Sequence, residues 1–162
     1  MAKLLADEIH DKITGYWKIK TIWTTTAVTM ASRQDGSIVA VVSGAGKRGL
    51  TAEQLEYVES ITTTDEQGRP NMVALSPWMK EAHAETTAVH YIASNGLTPI
   101  AGATNRNARP APMGCEDFLP QVGAVQTGPV TAGSKQKVPG QAICIWRDYG
   151  TWNEFLGAQG YR

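Results

Sequence analysis

The sequence predicts an α/β fold, and three observations carry that expectation. A segment rich in β-branched residues, an Asp-Gly turn and a second apolar segment together spell a hairpin. Helical stripes with capping signals then alternate with short strand-like segments. A last pair of strand segments leads into an aromatic tail. At 162 residues the chain fits a single domain, 1–162, long enough to bury a core without disulfide or metal staples. Fifteen basic and fifteen acidic residues cancel, so no global field steers the molecule to nucleic acid or membrane, although a local basic cluster remains allowed.

Cys115 and Cys144 are the two cysteines, too few for a disulfide framework. They can be reduced core residues, one bridge, or part of a metal ligand set. Met1 to Trp17 scatters Lys3, Asp7, Glu8, Asp11 and Lys12 among apolar residues, which is not a signal peptide. No later run of about eighteen apolar residues suggests a membrane span. The expectation is a soluble protein without a membrane partner, either cytoplasmic or delivered as a piece of a longer secreted one.

Leu4, Leu5, Ile9 and Ile13 make an amphipathic helix ending at Gly15, with His10 on its surface. Thr21 to Ala31 and Ile38 to Ser43 flank Gln34-Asp35-Gly36-Ser37 as the two strands of the hairpin. Gly44-Ala45-Gly46-Lys47-Arg48-Gly49 breaks the second strand. It lacks the full phosphate-loop pattern, so it reads as an exposed loop beside the reading of a phosphate cradle. Thr51 and Gln54 form a capping box for a helix whose stripe is Leu55, Val58 and Ile61. Thr62 to Pro70 has no apolar residue to bury and reads as a surface loop or a substrate-side flap.

Ser76-Pro77 looks like a helix start, with Ala82 as a later alternative, and periodicity runs through Ala84, Ala88, Tyr91 and Ile92 to a stop at Asn95-Gly96. Leu97 to Thr104 is a small-residue strand, and Asn105 to Pro112 a loop. Met113 to Val122 is a short helix limited by Pro120, and Gly123-Ala124-Val125 opens another strand. Lys135 to Val138 and Gln141 to Trp146 read as strands divided by Pro139-Gly140. Tyr149, Trp152, Phe155, Leu156 and Tyr161 give the tail enough aromatic surface to dock on the domain or on a partner.

Two short stretches stand out chemically: Ala82-His83-Ala84-Glu85, and Arg109-Pro110-Ala111-Pro112-Met113-Gly114-Cys115. With the hairpin before them and the Gly-Ala-Val strand after, they resemble the cytidine deaminase-like superfamily, particularly its bacterial toxin-type deaminases. The resemblance covers about 24–125. The flanks at 1–23 and 130–162 match nothing and read as extensions. One feature departs from the family pattern: Pro112 stands where the first of two cysteines is expected, leaving Pro-x-x-Cys in place of Cys-x-x-Cys.

The resemblance implies a mixed β-sheet flanked by helices in three layers, and zinc as cofactor. His83 and Cys115 would be two ligands, and Glu85 the catalytic proton shuttle. Arg109, Trp78 and Ser43 are the candidate substrate contacts. The implied reaction is hydrolytic deamination of a nucleobase, cytosine in a nucleotide, nucleoside or single-stranded nucleic acid. Membership in the toxin branch would add an effector role and an immunity protein as partner. Proline offers a metal neither lone pair nor thiolate, so a zinc-free deaminase fold serving as a binding or assembly module is the alternative reading. A viral or other structural subunit, docking through its aromatic tail, is a third.

Spacing limits the substitute ligands. His90 follows His83 by two helical turns, about 10 Å along the axis, too far for easy sharing of one ion. Cys144, between Ile143 and Ile145, is a buried core residue or a ligand. Glu116 and Asp117 could bring a carboxylate, or could simply suit a first helical turn. Lys47, Arg48, Arg69, Arg106 and Arg109 would meet a phosphate backbone only if their loops converge. The five tryptophans are base-stacking candidates or core and rim residues.

Overall fold

A computed structural model describes residues 26–44, 49–50, 52–76, 84–104, 115–126 and 142–161. The expected N-terminal helix with His10 and the expected strand at 135–138 lie outside these residues. So do Lys47, Arg48, Thr51, Trp78, His83, Arg106, Arg109 and Pro112. Of Cys115, Glu116 and Asp117, the backbone alone is described.

The hairpin forms as its sequence predicts. β1 (Thr26–Ser32) and β2 (Ile38–Gly44) pair antiparallel, Val28 opposite Val42 and Met30 opposite Ala40. The Asp35 carboxylate closes the turn by accepting from the Ser37 amide at 3.0 Å and the Ser37 hydroxyl at 2.7 Å. Arg69 completes the arrangement with an ion pair to Asp35 at 2.7 Å. The Ser37 bonds and the Arg69 guanidinium hold the Asp35 carboxyl far below the usual carboxylate range. Gly44 ends the strand because the chain returns over it: a Cβ there would lie 2.5 Å from the Gly49 carbonyl carbon.

Helix α1 (Ala52–Ile61) stops where its apolar stripe stops. Gln54, expected as a capping partner, is 1 % exposed and donates its amide to the Thr26 hydroxyl at 2.9 Å, tying α1 to β1. β3 (Met72–Ala74) pairs parallel with β2. Residues 62–70 form a surface loop folded about Asp65, which accepts from the Gln67 and Arg69 amides and pairs with Arg69 at 2.9 Å.

Helix α2 (Ala84–Ser94) is described from Ala84, and the two expected starts, at Ser76-Pro77 and at Ala82, turn on residues 77–83, outside the described residues. Its exit is a Schellman motif: the Leu97 amide bonds to the Ile92 carbonyl at 3.0 Å and Gly96 bonds back to Ala93. Gly96 there takes a φ of 67°. β4 (Thr98–Thr104) pairs antiparallel with β1 across a register shift after Met30, beside Pro99, which has no amide to give the ladder. Helix α3 (Cys115–Gln121), β5 (Ala124–Gln126), β6 (Ala142–Trp146) and helix α4 (Tyr149–Ala158) complete the described residues.

The six strands form one mixed sheet in the order β3-β2-β1-β4-β6-β5. β1 and β6 run opposite to the other four. One face carries Val28, Met30, Ala40, Val42 and Ala103 under Val58 of α1. The other carries Ala31, Val39, Val41, Cys144 and Trp146 under α2, α3 and α4, through Ala88, Ile92, Leu119 and Trp152. Helices therefore cover both faces. The described core continues past Val125, since β6 lies between β4 and β5 and Trp152 of α4 is 3 % exposed. The aromatic tail is thus part of the same core, which removes the main support for a tail that docks on neighbouring subunits.

Candidate functional site

The site is built from the start of α2. The Ser43 hydroxyl, near the end of β2, donates to the Ala84 carbonyl at 2.7 Å, and Ser43 and Ala84 are each 0 % exposed. Glu85 follows at once in the first helical turn, half-buried. The pleat lines up Val41, Thr29, Gly102, Cys144 and Gln126 as one row across five strands. Ser43, Ala27, Thr104 and Ala142 form the next row on the same face, nearer the α2 start.

Cys144 sits in the first of these rows at 7 % exposure. Burial, and then the nearby Glu85 charge, push its thiol up to about 12. Glu85 therefore lies close enough to the inner face of β6 to act on Cys144. Gly102 sits between Thr29 and Cys144, and a Cβ there would lie 3.3 Å from both the Thr29 hydroxyl oxygen and the Cys144 sulfur. The glycine keeps that crossing uncrowded.

Helix α3 packs on the same sheet face. Helix α3 ends against Gly123, whose carbonyl accepts from the Arg147 and Asp148 amides beyond the end of β6. The helix packs on the α2 face through Leu119 and Val122. Its last turn therefore lies at the Trp146 end of the sheet. Helices α2 and α3 thus cover the same sheet face.

Other expected site residues fall elsewhere. Ser43, expected as a substrate contact, is interior, with its hydroxyl directed at α2. The imidazole of His90 shares a 2.6 Å hydrogen bond with the Tyr161 hydroxyl through Nδ1 and lies edge-on to Phe155 at 6.0 Å, so it ties α2 to the tail. Arg69 is paired at the hairpin turn, at the opposite end of the sheet from Glu85, which removes both it and the 62–70 loop from the site. Among the described residues no group of three His, Cys, Asp or Glu side chains is placed to hold a metal. Two clefts of about 380 and 370 Å³ lie away from Glu85, one between α2, α3 and α4, the other beside the hairpin turn.

Sequence reasoning missed Thr29 and Gly102, which reach the site only through strand register, and it held no sign that Ser43 turns inward to α2. Register is a long-range property, and no local pattern around Gly102 announces its neighbours. Comparison with family models, curated proteins and solved structures finds no match to this chain.

Proposed function

We propose that the chain is a hydrolytic nucleobase deaminase of cytidine-deaminase-like fold, acting with zinc on cytosine in a nucleotide or nucleic acid. The observation that supports this most is the place of Glu85, half-buried in the first turn of α2, on the sheet face whose inner row carries Cys144. Zinc fits the donor chemistry there: His83 and Cys115 adjoin the two helix starts, and Cys144 offers a second sulfur on the same face in place of the one Pro112 lacks. When bound, zinc lowers the pKa of a water towards neutrality and so supplies hydroxide. Glu85 would take the proton from that water, pass it to the ring nitrogen, and return a proton to the departing ammonia. The half-buried first turn of a helix suits the role, because it fixes the carboxylate without sealing it off from substrate.

Pro112 favours a second reading, a deaminase fold without zinc that binds a partner. One experiment separates the two: metal content of protein purified without chelator, for wild type, His83→Ala and Cys144→Ser, beside cytosine deamination by wild type and Glu85→Gln. Near-stoichiometric zinc lost in both ligand variants, with deamination reduced at least about a hundredfold in Glu85→Gln, is the expected result. Protein that is metal-free in every form and inactive would leave the binding-module reading.

A further inference from the structure

Resting on the deaminase reading, we infer that Ser43 is the positioning residue for Glu85: its hydroxyl locks the first turn of α2 onto β2 and so fixes where the carboxylate stands. The bond joins groups far apart in sequence, 2.7 Å long, between two residues that are both 0 % exposed. Water cannot compete for it there, and the hydroxyl has no solvent to turn towards. Ala84 is the first residue of α2, and helix ends are where a helix frays most easily.

Other ties act further along. Ala88 and Ile92 pack into the core and hold the middle of the helix, and the Schellman bonds hold its end. Apolar packing fixes a helix against a sheet but is non-directional, and leaves small rotations and slides of the first turn open. A carboxylate that must reach a water and then a ring nitrogen tolerates little such freedom, since an error of about 1 Å can cost about a hundredfold in rate. The Ser43 bond is directional, and it acts on the residue immediately before Glu85.

The test compares wild type with Ser43→Ala and Ser43→Thr, the latter keeping the hydroxyl. Amide hydrogen exchange along α2 is read first, because it needs no substrate. Ser43→Ala should speed exchange at 87 and 88, the first amides bonded within the helix, by about tenfold while leaving 89–94 unchanged, and Ser43→Thr should restore it. Deamination kinetics follow: kcat should drop about ten- to a hundredfold in Ser43→Ala with KM nearly constant, and recover in Ser43→Thr. Unchanged exchange in the first turn, or a change in KM alone, would overturn the positioning role. If wild type deaminates nothing while Ser43→Ala still loosens the first turn selectively, the deaminase reading falls and the tie between Ser43 and α2 stands.

Discussion

A thiol on the inner face of β6 has little water to stabilise its anion. Burial is the larger cause of the Cys144 shift and the Glu85 charge the smaller, and together they push the thiol up to about 12 from an ordinary 9.0. Because the folded value lies above the unfolded one, the associated stability is whole below pH 9 and is lost as pH rises through about 12. Metal-free protein should accordingly lose thermal stability across that interval, and Cys144→Ala should flatten the loss. Native Cys144 should also resist a disulfide exchange reagent at about pH 8, reacting at a rate that follows urea concentration, since only opened molecules present a thiolate. Fast labelling in the absence of urea would show that the inner face of β6 is accessible. Glu85→Gln removes the second cause, so it should lower the Cys144 pKa without returning it to the ordinary value. Zinc binding would reverse the logic by holding the thiolate, which makes the same titration a report on the metal.

Helices α2 and α3 both end on glycine, yet the two glycines do different things. Gly96 has a φ of 67°, and a Cβ added to it would find nothing within 4 Å, so Gly96→Ala meets only the left-handed backbone cost, about 1–2 kcal/mol. Gly123 has a φ of 89°, and a Cβ there would run into the Asp148 carbonyl oxygen and lie 3.3 Å from the Trp152 amide nitrogen. Backbone cannot swing aside as a flexible side chain does. Gly123→Ala should therefore cost above about 4 kcal/mol by urea unfolding, and similar losses for the two variants would overturn this account. The difference shows what was legible at this scale. The sequence announced both ends, the first through Asn95-Gly96 as a stop and the second through Pro120 and a strand opening at Gly123. It could not announce that Gly123 is also the seat of the β6 to α4 connection, because that contact joins residues 25 positions apart.

The order of strands is where local reading stops. Alternation, turn residues and caps placed the hairpin, α1, the end of α2, β4, α3 and β6 within a few residues, because each signal is confined to one segment. Glu85 and Cys144 were legible as chemistry, but the placing of Cys144 on the sheet face that α2 covers follows from the order β3-β2-β1-β4-β6-β5, which depends on every pairing at once. That order also recasts the C-terminal flank, read from sequence as an extension, as the centre of one half of the sheet. Its helix is fastened by an Asp148 cap, by Trp152 in the core, and by the His90 and Tyr161 pair at 2.6 Å. Burial lowers the His90 pKa below 6.5, so its contribution is full above pH 6.5 and is lost as pH falls through the folded value. Subtracting a His90→Gln pH profile should isolate that loss. Deeper in the same interface, Trp152→Ala removes a ring at 3 % exposure that stacks on Phe155 at 5.5 Å, and should cost about 3–5 kcal/mol. Ending the chain after Asp148 removes the whole helix and should abolish the cooperative unfolding transition, since Leu119, Val122 and Trp146 would then face water. A truncated chain that still melted sharply would return the tail to the status of an appendage, and would separate the Glu85 end of the sheet from any dependence on it.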